Sequence, residues 1–384
     1  MTSPQQPRVD GTDPGGRIRV AVVFGGRSSE HGVSCLTAGE VIKAIDPERY
    51  DVLPVGVTRD GRWVLESGDP ARFAITDRSL PSVDAAGAQV VLANDPNRRD
   101  LVVHPSGEVP RTLGRVDVVM PLLHGPWGED GTIQGLLELA GVRYVGAGVL
   151  ASAVGMDKHH MKVAFATAGL PMLPYVVLRR RWWDTDPDGV RRAVQPLGLP
   201  VFVKPARAGS SVGISRVDDL TELAAAIGLA RESDPKVLVE AAAVGAREIE
   251  LGVLDSVDGS GAEVSQPGEI VLDPAAGHSW YDFDAKYVDG GGTATVPANL
   301  PSDLVAVLRA QALTAFDAID GEGLARVDFF VLPDGSAVIN EINTMPGFTP
   351  TSMYPALWAA QGVDYPTLVD RLLRSALNRP LGLR

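Results

Sequence analysis

Asp328, Glu341 and Asn343 put three hard oxygen donors on two short apolar runs, LARVDFFVL and AVINEIN, separated by Pro333-Asp334-Gly335-Ser336. If the runs are adjacent antiparallel strands, side chains on one face converge, and Glu341 and Asn343, two apart, share that face. Such a set suits Mg²⁺. An acidic side chain in an apolar strand is costly to bury unpaired, which favours a cation or ligand beside it. The alternative is a salt bridge from Asp328 to neighbouring Arg326. Arg326 is better matched to an oxyanion or phosphate, because its planar fork donates to two oxygens at once.

Three further segments carry groups suited to anions. In Lys204-Pro205-Ala206-Arg207-Ala208-Gly209-Ser210-Ser211-Val212-Gly213 a lysine ends a strand and a Gly/Ser loop follows, whose backbone N–H groups can cover phosphates. The lysine precedes the glycines and no Gly-Lys-Ser/Thr occurs there, so this is not a Walker A loop; alone it reads equally as a plain hairpin. In His124-Gly125-Pro126-Trp127-Gly128-Glu129-Asp130-Gly131 a strand ends and the helix TIQGLLELA begins. Its glycines admit a ligand to the backbone, and the helix N-terminus favours a carboxylate. Taken alone, His124 is structural or functional with equal weight, Gly25-Gly26 could be any nucleotide-sheet turn, and Glu30 could compensate a helix dipole.

The elements that must position these groups read as α/β first and α+β afterwards. RIRVAVVFGG is a β-branched strand, followed by the helical pattern RSSEHGVSCLTAGEVIKAI; VLPVGVT and VDVVMPLL suggest a parallel sheet. The Asp, Pro and Gly-rich stretch from about 66 to 114 reads as a surface insertion. MDKHHMKVAFATAGL is a helix stopped by Gly169 and Pro171. LPVFVKPARAGSSVGISRV gives two strands around a loop, DDLTELAAAIGLARESD an amphipathic helix and VLVEAAA a strand. EIELGVL, a Gly/Pro/Asp-rich loop over about 272–299, the helix SDLVAVLRAQALTAFDAI and the two acidic strands complete the chain.

Composition limits the partners. The 384 residues, 45% hydrophobic and 22% charged, can bury large cores and divide into two or three domains. The net charge of −13 repels phosphate backbones, so no nucleic-acid partner is expected, while Lys158, Lys204 and Lys286 stand singly in glycine-rich or apolar settings suited to a small phosphorylated ligand. Residues 1–17 are polar and Pro/Gly-rich, read as a disordered tail without a secretion signal. No run of ~18 apolar residues occurs, so no membrane span is expected. The single cysteine, Cys35, excludes an internal disulfide framework, and no Cys/His spacing matches a zinc site; a cytoplasmic location fits.

Taken together and in order, VVFGGRSSEHGVS, HGPWGEDGTIQGLLELAGVRYVGAG, MDK, VKPARAGSSVG, YDFDAKY and RVDFF with NEINTMPGFTPTSMYP resemble the D-alanyl-D-alanine ligases, from residue 18 to the C-terminus. The resemblance implies an ATP-grasp fold with an N-terminal Rossmann-like substrate-binding α/β domain over 18–147, a central α+β subdomain over 148–239 and a C-terminal α+β subdomain over 240–384. It also implies ATP-dependent joining of two D-alanine molecules through a D-alanyl phosphate, for peptidoglycan precursor synthesis. Lys158, Lys204 and Lys286 match the family's phosphate-binding lysines, with Ser211 in the loop over the nucleotide. Asp328, Glu341 and Asn343 match ligands for two Mg²⁺ (or Mn²⁺) ions; Glu240 and Glu248 match the adenine-side and ribose-binding acids.

For the substrates, Glu30 matches the acid holding the first D-alanine's ammonium, bonded to positions matching Ser210 and Tyr287. His124 lies where the family places a histidine near that substrate. Arg326 and the Gly347 N–H match the oxyanion site, Ser352 the serine receiving the second carboxylate, and Lys286 also lies on the substrate side. The segment 272–299 matches a lid, the ω-loop, whose closure excludes water. Tyr287 favours D-alanine over D-lactate as acceptor, a D-alanine:D-lactate or D-alanine:D-serine ligase being the alternative. A homodimer and K⁺ activation are further family-level expectations. The chain departs from many relatives in Ala241-Ala242-Ala243, where a lysine is common after Glu240, and in Trp127 and Trp280, which replace smaller aromatics. A catalytically silent nucleotide-binding protein is disfavoured by the complete set of metal ligands, phosphate lysines and oxyanion arginine. A dinucleotide oxidoreductase fails because no G-x-G-x-x-G opens the first helix.

Overall fold

The computed structural model describes residues 16–76, 79–93, 95–272 and 292–381. Three sheets organise them. The first has eight strands: β1 (Ile18–Gly25), β2 (Tyr50–Val57), β3 (Trp63–Leu65), β4 (Gln89–Leu92), β5 (Asp100–His104), β6 (Arg111–Arg115), β7 (Val118–Pro121) and β8 (Arg143–Tyr144). Their spatial order is β6-β5-β4-β3-β2-β1-β7-β8, with β2, β1, β7 and β8 mutually parallel. β1 is buried on both faces, as its apolar run requires. Val20, Val22 and Phe24 enter one core and Ala21 and Val23 the other.

The stretch read as a surface insertion is instead part of this sheet. β4, β5 and β6 pair antiparallel and extend its edge, with Val90, Leu101 and Val103 buried in the second core. Their apolar residues are few and separated by turn formers, so the strands show only once long-range pairing supplies the other half of the core.

The second sheet is antiparallel, in the order β11-β10-β12-β9: β9 (Tyr175–Leu178), β10 (Val201–Pro205), β11 (Ser215–Val217) and β12 (Val237–Ala241). The third contains β13 (Arg247–Asp255), β14 (Ala262–Val264), β15 (Gly268–Leu272), β16 (Gly292–Thr295), β17 (Leu324–Val331) and β18 (Ala337–Asn343), ordered β16-β15-β13-β17-β18 with β14 beside β13.

Helices frame these sheets: α1 (His31–Ala44), α2 (Thr132–Leu139), α3 (Val149–Met156), α4 (Lys158–Thr167), α5 (Arg180–Thr185), α6 (Pro187–Val194), α7 (Leu223–Ser233), α8 (Ser302–Asp317), α9 (Met353–Ala359) and α10 (Tyr365–Asn378). α4 starts where the Asp157 carboxylate accepts from the His159 and His160 N–H groups and stops before Gly169, whose φ of +75° is the left-handed turn glycine tolerates. In α10, Leu368, Leu372, Ser375 and Ala376 recur at helical spacing, and the face they form is buried against the first sheet's core together with Tyr354 and Trp358 of α9. The C-terminal helices thereby bind the first sheet to the third. None of the described helices is long and apolar enough to cross a membrane.

Candidate active site

A cavity of about 470 Å³ collects side chains from all three sheets. Glu30, His124 and Glu129 come from the first sheet's loops, Lys158, Gly209, Ser210 and Ser211 from α4 and the loop after β10. Arg326, Glu341, Asn343, Gly347 and Ser352 complete it from the third sheet and the turn after β18. Residues separated by up to about three hundred positions thus face one space.

Glu30 precedes the first turn of α1 and is buried. Its Oε1 accepts a hydrogen bond from the Ser210 hydroxyl, joining the first sheet's loop to the Gly/Ser loop. Two glycines make room for the carboxylate: a Cβ at Gly125 would lie 2.6 Å from Glu30 Oε2, and one at Gly209 would lie 2.8 Å from it. Ser210 and Ser211 both have positive φ, 46° and 60°, a conformation that non-glycine residues adopt at a cost and that concentrates at ligand-binding sites.

His31, next in the chain, is spent on structure. Its Nδ1 donates to the Gly26 carbonyl at 2.7 Å and its Nε2 accepts from the Val83 N–H at 3.1 Å, a neutral ring whose pKa burial lowers. His124 differs. Its Nδ1 donates to the Met345 carbonyl at 3.3 Å, while Nε2 is buried without a hydrogen-bond partner among the described residues, in the cavity wall. Burial lowers the His124 pKa against the opposing pull of Glu30, so the ring is neutral with an acceptor lone pair on Nε2. Beside it, Glu129 Oε1 accepts from the Gly125 N–H at 2.7 Å, and burial, aided by the negative Glu30, pushes its carboxyl up to about 8.

On the third sheet, Asp328 stands directly across from Glu341, and Arg326 from Asn343. The salt bridge read from the sequence as the alternative for Asp328 is present. Arg326 Nε and Nη2 donate to the two Asp328 oxygens at 2.7 Å each, and Arg326 Nε also lies 2.9 Å from Glu250 Oε2. Burial disfavours this guanidinium, but Asp328 and Glu250 outweigh it and raise its pKa further. Asn343 Nδ2 donates to Asp328 at 3.0 Å; Lys158 Nζ lies 3.3 Å from Glu341 Oε2 and donates to the Ala208 carbonyl at 3.2 Å. Two carboxylates and an amide oxygen, clustered by strand register and neutralised by the protein's own cations, form a donor set that fits a hard divalent ion.

At the opposite end, Thr349 N donates to Ser352 Oγ at 3.1 Å, and the two hydroxyls lie 2.8 Å apart. The turn is pinned by Tyr365, whose hydroxyl donates to the Phe348 carbonyl at 2.6 Å. Gly347 lines the cavity beside this serine, a Cβ on it lying 3.3 Å from Ser352 Oγ, and its N–H has no hydrogen-bond partner among the described residues.

Lys204, Glu240 and Glu248 lie outside that cavity lining, on β10, β12 and β13. Lys204 Nζ donates to Glu240 Oε2 at 2.6 Å, and Lys162 Nζ, one helical turn after Lys158, lies 2.5 Å from Glu240 Oε1. Burial alone would raise the Glu240 carboxyl; the two ammonium groups overcome it and hold it at about 2. Lys286, Tyr287 and Trp280, with most of the 272–299 segment read from the sequence as a lid, lie outside the described residues. The ligand atoms of Asp157, His159 and His160 also lie within 4.8 Å of one another, but Asp157 is engaged by Lys236 and by the amides opening α4.

Sequence reasoning passed over Glu129, Lys162 and Glu250. Glu250 had a legible signal, since it alternates with Glu248 on one face of β13 and stands across from Asp328. Lys162 had one too, four residues after Lys158 on the same helix face.

Comparison with known proteins places this geometry. Residues 19–147 match the family model described as the D-ala D-ala ligase N-terminus, and residues 164–374 the model described as the D-ala D-ala ligase C-terminus. A D-alanine–D-alanine ligase of Arthrobacter sp. (strain FB24) is 56% identical over 97% of this chain and 98% of that protein. One from Streptomyces griseus is 56% identical over 100% and 96%. Among solved structures, the VanG D-Ala:D-Ser ligase of Enterococcus faecalis superposes with a TM-score of 0.79 at 32% identity, covering 94% of this chain and 99% of that one. The D-alanine-D-alanine ligase of Coxiella burnetii does so with a TM-score of 0.79 at 31% identity, covering 94% of each.

Proposed function

Since the chain belongs to the D-alanine–D-alanine ligase family, we infer that it is an ADP-forming ligase of the ATP-grasp fold joining two D-alanine molecules for cell-wall synthesis. The observation that carries the site reading is the convergence, on one cavity, of the buried Glu30, Lys158, Arg326, the oxygen donors of Glu341 and Asn343, and Gly347. We assign Glu30, buttressed by Ser210 and by Tyr287 of the lid, to the ammonium of the first D-alanine, with the acceptor Nε2 of His124 beside it. Arg326 and the Gly347 N–H face the carboxyl carbon, and Ser352 receives the carboxylate of the second D-alanine.

Activation is needed because a free carboxylate is a poor electrophile. A carboxylate oxygen of the first D-alanine bonds to the γ-phosphorus as ADP leaves. The amine of the second, having lost a proton, then attacks the acyl carbon, and phosphate departs from the tetrahedral intermediate. Lys158, Lys204 and Lys286, with Ser211 of the covering loop, hold the phosphates; Glu240 and Glu248 hold the adenine and ribose sides. Asp328, Glu341 and Asn343 hold divalent metal, most suitably two Mg²⁺, or Mn²⁺ in their place, which when bound neutralises charge on the transferring phosphoryl group. Arg326, already anchored by Asp328 and Glu250, offers a preorganised positive field to the oxyanion at no cost in reorganisation. The neutral His124 puts no repelling positive charge beside the ammonium, and the protonated Glu129 leaves Glu30 to face it.

The D-Ala:D-Ser ligase among the structural relatives shows that the fold alone does not set the acceptor. D-Alanine is favoured here by the closer relatives and by Tyr287. We further assign a homodimer and K⁺ activation on family grounds, and the absence of nucleic-acid partners on charge. The direct test is Glu30→Gln. It removes the charge opposite the substrate ammonium, so the KM for the first D-alanine should rise by at least about tenfold, a loss of about 1.4 kcal/mol. An unchanged KM removes Glu30 from the site.

A further inference from the structure

We propose that Lys162 is a positioning residue for nucleotide binding: it supplies Glu240 with a second, permanent counter-ion, so that Lys204 is free to turn from Glu240 to a phosphate. This rests on the assignment of Lys204 to the phosphates. Glu240 is buried, at 2% exposure, and its two oxygens are divided between two lysines, Oε1 to Lys162 at 2.5 Å and Oε2 to Lys204 at 2.6 Å. The two cations are not equivalent. Lys162 is as buried as Glu240, on α4, while Lys204 is more open at the end of β10. Of the two, Lys204 has the greater exposed surface to offer a ligand, 12% against 2%.

The three groups carry two positive charges and one negative, and the nearby Glu341 and Glu248 also act on Lys204, so Lys204 has carboxylates besides Glu240 to draw on it. With Lys162 in place, departure of Lys204 leaves Glu240 paired. Without it, Glu240 and Lys204 form a closed one-to-one pair, and each phosphate contact Lys204 makes would strand a buried carboxylate. Aromatic rings flank both ammonium groups: Lys162 Nζ lies 5.5 Å from the Tyr175 ring centroid and Lys204 Nζ 5.9 Å from that of Phe202. Tyr175 and Phe202 are the strand neighbours of Glu240 on either side. The low pKa of the Glu240 carboxyl agrees with a double counter-ion.

The test uses the full-length protein and calorimetric binding of ADP and of adenosine, which lacks phosphates. In Lys162→Met, ADP should bind at least about tenfold more weakly, the equivalent of breaking one charge-assisted contact, with adenosine changed by less than about twofold. Adding Glu240→Gln to Lys162→Met should restore much of the ADP affinity relative to that of adenosine, whose own binding reports any loss at the adenine side, because Lys204 is no longer trapped; a merely structural lysine would give no such recovery. Equal losses for ADP and adenosine, no loss for ADP, or no recovery in the double variant would each overturn the proposal. If Lys162→Met does not fold, Lys162→Gln supports the same comparison. Lys204→Met separates the two levels: unchanged ADP affinity in that variant refutes the phosphate assignment of Lys204, whatever Lys162 does.

Discussion

Replacing Glu129 by glutamine should make the protein more stable at alkaline pH and leave it almost unchanged in acid. Glu129 is mostly buried, its side chain 15% exposed, and its carboxyl is pushed from the ordinary value of 4.5 up to about 8, by burial first and by the charge of Glu30 second. In the unfolded chain it ionises near the ordinary value, so between pH 4.5 and 8 the folded state binds the extra proton. Stability from this group is therefore complete below pH 4.5 and is lost as pH rises to about 8. One pKa unit corresponds to about 1.4 kcal/mol, so the wild type should lose up to about 3 kcal/mol relative to Glu129→Gln between pH 5.5 and 8.5. Gln keeps an oxygen to accept the Gly125 N–H, so the turn survives. Thermal unfolding of both proteins without nucleotide, across that range, measures the difference. A Tm gap of several degrees that opens with rising pH is expected. A pH-independent gap would show that Glu129 ionises normally and that the site holds more negative charge than described.

Glu341→Gln should lower turnover by at least about a hundredfold by weakening metal binding, read as phosphate release across a Mg²⁺ titration; near-normal activity removes the metal assignment. Cys35 is fully buried in α1, and burial pushes its thiol up to about 12, so native protein at pH 8 should react with a thiol reagent only slowly and unfolded protein quickly. Fast labelling of the native state would mean that α1 opens from the first sheet.

The parts of the fold that were legible were those with local periodicity. The β-branched run of β1, the Asp157-capped α4 and the acidic hairpin of β17 and β18 each carry their own pattern and turn chemistry within a few residues. The edge strands β4–β6 were not legible, because Val90, Leu101 and Val103 become a core only against residues of β1, β2 and α2. The site divides in the same way. Asp328 and Glu341 were visible as acids in apolar strands. The link from Glu30 to Ser210 spans 180 positions and came from family resemblance rather than spacing. Lys162 carried the four-residue spacing from Lys158, but its pairing with Glu240 is a property of the fold. The unpartnered Nε2 of His124 is likewise a property of packing, since the neighbouring His31 is equally buried yet satisfied on both nitrogens.

The central claim is that this cavity activates a D-alanine carboxylate with ATP and offers it to the amine of a second D-alanine. The most direct measurement is phosphate release from MgATP by the purified protein with D-alanine alone and with added D-lactate or D-serine, the products identified by mass. D-alanyl-D-alanine as the sole or dominant product at neutral pH is the result expected. A preferred mixed product would contradict the acceptor assignment, and no D-alanine-dependent phosphate release would contradict the account as a whole.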